Sequence, residues 1–135
     1  QHWDETEVLY LDDRMNPDTQ AMRAYEAVGA LVIITARDAE TGQLVGDAAY
    51  FIGPNLHVLG TTIAKEDAFF MLSEYRNGRN AAKLLAYAEY ILSEKLRIDY
   101  VGMSDKSPVG GKSLAKFMQR RGYSPVATYY LKKLG

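Results

Sequence analysis

The chain has 135 residues, 47% of them apolar, and a formal net charge of -1 from 16 basic and 17 acidic residues. One domain of ordinary size accounts for that length, and the apolar share is enough for a buried core and too high for a disordered chain. The charge balance gives no reason to expect a nucleic-acid or anionic-membrane partner. With no cysteine, disulfides, thiolate zinc sites and a cysteine nucleophile are all excluded.

The longest apolar run, residues 30–34, falls far short of the roughly 20 residues a spanning helix needs. The acidic N-terminus has no signal-like stretch, so a soluble, cytoplasmic protein with no membrane partner is expected. The first residue is Gln1 rather than Met, consistent with loss of a leader, tag or preceding segment.

Residues 1–16 carry Asp4, Glu5, Glu7, Asp12 and Asp13. They read as a solvated entry segment or as the acidic mouth of a site for a cationic substrate. Asn16-Pro17-Asp18 predicts a helix start, with Asn as cap and Pro in the first turn, and Gly29 ends the helix after Val28. The β-branched run 30–37, turn chemistry over 38–42 and a second run over 43–52 predict a hairpin. Gly53-Pro54-Asn55 breaks it, and residues 61–72 predict a third strand. From Gly78 to Arg97, Ala81, Leu84, Leu85, Ala88, Ile91, Leu92 and Leu96 form one apolar stripe, the pattern of a long helix. A short strand over 99–104, a helix from Ser107-Pro108 to Arg121-Gly122 and a strand over 126–134 complete the reading. One α/β (α+β) domain over residues 1–135 is expected.

The stretch from Phe69 to Leu85 carries the chemistry. An apolar strand enters a turn with Arg76, Gly78 and Arg79, and a helix leaves at once. The first turn of a helix offers unpaired N–H groups and partial positive charge, and small residues there let a phosphate approach. On these grounds an anion site and an ordinary strand–turn–helix connection are equally well supported. Gly110-Gly111-Lys112-Ser113 ends like a phosphate-binding loop, but its first glycine would fall on Lys106. Lys112 fits better in a flexible loop near a bound phosphate group.

Ser73-Glu74-Tyr75-Arg76 and the small-residue helix start resemble the acyl-CoA-binding motif of the GNAT N-acetyltransferases, Q/R-x-x-G-x-G/A. Arg76 then fills the Q/R position, Arg79 stands where glycine is usual, and Ala81 takes the last position. Phe117-Met118-Gln119-Arg120-Arg121-Gly122-Tyr123 is similar to the family's closing helix. His57, Glu66-Asp67 and Ser104-Asp105-Lys106 resemble phage-encoded members. The first strand and helix of that family look short or missing in residues 1–16.

The resemblance implies a mixed, mostly antiparallel central sheet flanked by helices. It also implies acetyl-CoA as donor, no metal, and direct attack by a primary amine of a small molecule or protein. A homodimer would be compatible. It implies that Phe70, Met71 and Leu72 pair their main chain with the pantetheine arm, and that the Met71 N–H stabilises the oxyanion. Arg76, Asn77, Gly78, Arg79, Asn80 and Ala81 would cradle the pyrophosphate. A general base is then wanted, and Glu66, Asp67 and His57 are the candidates. Adjacent strand residues face opposite ways, so one of Glu66 and Asp67 at most faces the cleft unless a bulge intervenes. By parity Asp67 goes with Phe69 and Met71, and Glu66 with Phe70 and Leu72. Met118 occupies the place of the family's acid tyrosine, leaving Tyr123, Tyr129, Ser104 or solvent. The competing reading is a non-catalytic structural or interaction protein on the same fold, for instance of a phage.

Overall fold

In the computed structural model residues 16–76, 79–105 and 114–135 are described. Helix α1 (Thr19–Ala27) is followed by β1 (Leu31–Arg37), β2 (Leu44–Pro54) and β3 (Thr62–Met71). A tight turn (Ser73–Tyr75) leads into α2 (Asn80–Tyr90), then β4 (Tyr100–Gly102) and α3 (Ala115–Arg120). The sheet order is β1-β2-β3-β4. The first two pairings are antiparallel and the last is parallel, so the mostly antiparallel sheet with flanking helices expected from the sequence is present.

The pleat sorts apolar residues to two faces. On one, Ile34, Ala48, Tyr50, Ala64 and Met71 pack with Leu84, Ala88 and Leu92 of the α2 segment. On the other, Leu31, Ala49 and Ala68 meet Met22 of α1. Small residues on the central strands keep the layers close. At Gly46 an added Cβ would lie 2.9 Å from the Phe70 carbonyl oxygen and 3.3 Å from Met71 Cε.

Several element ends differ from the sequence expectation. Asp18, not Asn16, caps α1, its Oδ1 accepting from the Ala21 N–H at 2.9 Å. The long helix loses α-geometry after Tyr90 and finishes in a π-turn over Ile91–Lys95. Arg97 takes the left-handed conformation (φ 58°) normally given to glycine. The Ile98 N–H reaches back to the Leu92 carbonyl at 2.8 Å, closing the helix end. The predicted helix start at Ser107-Pro108 lies outside the described residues, and α3 is described from Ala115.

The strand expected over 126–134 does not form. Strand propensity needs a ladder to act on, and β4 offers only three paired residues, joined to β3. Val126, Tyr129 and Tyr130 are left 94%, 78% and 87% exposed.

Two substitutions check this account. Gly46→Ala should destabilise by about 2 kcal/mol, because backbone rather than a movable side chain blocks the methyl. Arg97→Gly should stabilise by about 1 kcal/mol by relieving the left-handed residue. Urea denaturation of the two variants against the parent measures both.

Candidate active site

The β3–β4 ladder ends where Lys65 meets Gly102. Beyond it β3 continues to Met71 with β2 as its one strand neighbour among the described residues, so β3 and β4 form a fork. Ser104 Oγ donates to Glu66 Oε2 at 2.8 Å just past the last pair.

The direction of main-chain groups in the fork follows from the antiparallel ladder. The Leu72 N–H donates to the Val45 carbonyl at 2.8 Å, and Gly46 stands opposite Met71, Ala48 opposite Phe69. Hydrogen-bonded and non-hydrogen-bonded pairs alternate. Phe70 and Leu72 therefore spend their groups on β2, while Phe69 and Met71 turn theirs away from it, into the fork. The expectation of three successive residues pairing with one arm is corrected by this alternation. Phe69, which had no role of its own in the sequence reading, has its main chain turned the same way as that of Met71. The Met71 carbonyl accepts from Arg76 Nε at 2.7 Å, and the Arg76 guanidinium lies 5.3 Å from the Phe70 ring centroid.

At the open end of the fork α2 begins. Its cap residue Arg79 makes no side-chain capping hydrogen bond, so its side chain leaves the first-turn N–H groups uncapped. Asn80 Nδ2 donates to the Tyr75 carbonyl at 3.0 Å, tying the preceding turn to the helix start. Ala81 follows, half-buried. Asn77 and Gly78 lie outside the described residues.

A bulge reverses the parity expected for the acidic pair. Ala49 stands opposite Ala68 and Tyr50 opposite Glu66, so Asp67 is the extra residue. Directly opposed residues share a face. Glu66 therefore sides with Tyr50, and through the bulge with Phe69 and Met71, while Asp67 has no cross-strand partner. A bulge here was compatible with the sequence, but nothing in the residue types placed it at Asp67.

Not all the predicted residues come together. His57 sits exposed on the β2–β3 loop, its N–H donating to Asn55 Oδ1 at 3.1 Å. It lies before β3 begins, whereas Met71 ends the ten-residue strand, a separation of roughly 30 Å. Met71 itself is roughly 15 Å along the strand from Glu66 and Phe69 roughly 10 Å, and an oxyanion donor and a base act on different atoms, the carbonyl oxygen and the amine nitrogen. Phe69 is the fork-facing main chain nearer to Glu66.

A second polar group braces the fork from α2. Glu89 accepts from Tyr123 Oη at 2.9 Å and from Arg121 Nη2 at 2.6 Å. Burial, then the hydrogen bond to Glu89, push the Tyr123 hydroxyl well above the usual tyrosine range. Met118 is buried and, with Glu89, Met103, Asp105 and Tyr123, lines a cleft of about 700 Å³ at β4. Tyr50, 0% exposed, is pushed in the same direction by burial, then by Glu66 and Glu89.

Tyrosines that stay protonated in the fold but ionise near pH 10 once unfolded confer stability below that pH and lose it above. Thermal unfolding should therefore shift to lower temperature as pH rises past about 10. A Tyr50→Phe, Tyr123→Phe double variant should show a flatter alkaline decline.

Among the described residues no helix is long and apolar enough to cross a membrane, and no cluster of three or more potential metal ligands occurs. No protein-family model and no curated protein sequence matches the chain. Solved structures do match. An acetyltransferase from Trypanosoma brucei superposes with a TM-score of 0.70 at 15% identity, covering 95% of this chain and 89% of that one. Glucosamine-6-phosphate N-acetyltransferase from Arabidopsis thaliana gives 0.69 at 12% identity over 96% and 88%. A GNAT family acetyltransferase from Staphylococcus aureus gives 0.62 at 18% identity over 93% and 84%. At these identities the likeness is one of architecture: the chain has the fold of the GNAT acetyltransferases.

Proposed function

We propose that this chain is an acyl-CoA-dependent N-acyltransferase, moving an acetyl group from acetyl-CoA to a primary amine of a small molecule or a protein. The observation that carries the reading is the fork, with Phe69 and Met71 main chain turned into it. Glu66 stands at its base, and a helix start without a side-chain cap lies at its mouth. The residues fit the donor. Arg76, Arg79, Asn80 and Ala81, with Asn77 and Gly78 between them, supply charge and backbone N–H groups for its phosphates. Met71 supplies an N–H for an extended amide arm.

The donor would bring an acyl group already activated as a thioester. Phe69 offers an N–H near the carbonyl oxygen as negative charge builds on it, a contribution of about 3 kcal/mol for one such donor. Glu66 accepts the proton that the attacking amine must lose, and Ser104 fixes the orientation of its carboxylate. Asp67, at the bulge, is the alternative base. Met118 has no proton to give the leaving sulfur, and Tyr123 or solvent serves. On this reading the protein works in the cytoplasm, that of the host if the resemblance to phage-encoded members extends to origin.

The buried Met118 favours one other reading, a GNAT-fold protein that binds acyl-CoA or a protein partner without turnover.

Isothermal titration with acetyl-CoA, and with desulfo-CoA beside it, tests the proposal. Micromolar binding is expected, and a folded protein that binds neither would overturn it. Arg79→Asp should weaken binding at least tenfold, about 1.4 kcal/mol, while leaving the fold intact, since Asp is a good cap. In an amine-acylation assay Glu66→Gln should lose roughly 100-fold in rate, with donor affinity unchanged. Asp67→Asn should stay near the parent; the reverse pattern would exchange their roles.

A further inference from the structure

The Tyr50 hydroxyl is buried and has no hydrogen-bond partner among the described residues. Such groups are rare because an unmatched buried hydroxyl costs about 1–3 kcal/mol. Tyr50 could have been phenylalanine at no loss of packing, so its oxygen calls for a reason. Its surroundings supply one. The residue opposite it on β1 is Val32, which carries no charge. The residue opposite it on β3 is Glu66. From α2 comes Glu89, itself held by Arg121 and Tyr123 beyond α3. Both carboxylates lie close enough to oppose ionisation of the phenol.

We infer that Tyr50 is a positioning residue for Glu66, its hydroxyl reaching the cross-strand Glu66 carboxylate through one bridging water. A rigid, buried phenol opposite the carboxylate and Ser104 at the fork hold it from two sides. A bond of this kind favours the ionised form, the one able to accept a proton. The role rests on the reading of Glu66 as base, but the coupling between the two residues does not.

Carbon-detected NMR titration of the glutamate carboxyls in the ligand-free protein, parent against Tyr50→Phe, tests it directly. The variant keeps the ring and its volume. The Glu66 pKa is expected to rise by about half a unit or more, with a smaller change at Glu89. The acid limb of the kcat/KM profile should move up by the same amount while acetyl-CoA affinity stays constant. An unchanged Glu66 titration together with a raised Tm would show a merely unsatisfied core hydroxyl and would overturn the inference. A fully active Glu66→Gln variant would instead remove the base from the proposed function, and the titration would still report on Tyr50.

Discussion

Strand β3 has two neighbours over its first residues and one over its last, and the molecule is arranged around that change. At Ile63–Lys65 it is hydrogen-bonded on both sides. The extra residue at Asp67 follows at once, and a bulge adds twist and bend to the strand that carries it. From there β3 stays with β2 and separates from β4. The N–H groups of Phe69 and Met71 are thereby turned to the side of β3 where no ladder continues among the described residues, while the Met71 carbonyl is taken by Arg76.

The rest of the structure keeps the fork open and stiff. Helix α2 spans the face that holds Ile34, Ala48, Tyr50 and Met71, and its closing turn is tied by the bond from Ile98 to Leu92. Arg121 and Tyr123 fasten the end of α3 to Glu89 on α2, so the two helices flanking β4 are joined by charge-assisted bonds. On the hairpin side Tyr75 Oη donates to Asp38 Oδ2 at 3.0 Å. Backbone N–H groups of Thr41 and Glu40, and then this phenol, hold the Asp38 carboxyl below the usual range. The turn that precedes α2 is thus anchored to the far end of β1.

What could be read from the sequence was what repeats. The apolar stripe from Ala81 to Leu96 and the β-rich runs bounded by turn residues made the elements and their order legible, because burial imposes a period on the helix and turns punctuate the strands. What could not be read was what breaks the period. A bulge at Asp67 reverses the facing of Glu66 and Asp67 without altering composition. The direction of a main-chain N–H depends on register, which set Phe69 apart from Phe70. Tyr123 was one of several candidate acids, and its bond to Glu89 depends on the fold bringing α2 to its hydroxyl. His57 was legible only as a chemical type, and its distance from the fork is a property of strand length.

The exposed segment after α3 bears on how the protein behaves in concentrated solution. Tyr129-Tyr130-Leu131 is a short β-prone run that takes part in no ladder among the described residues. Such runs can seek the edge of another molecule. Lys132 and Lys133 follow immediately, and paired cations beside an apolar run oppose its stacking with copies of itself. Colloidal stability at neutral pH then depends on local charge, because a net charge of -1 leaves little general repulsion between molecules. Acetylation of those two lysines, or high salt, would weaken that protection without touching the core.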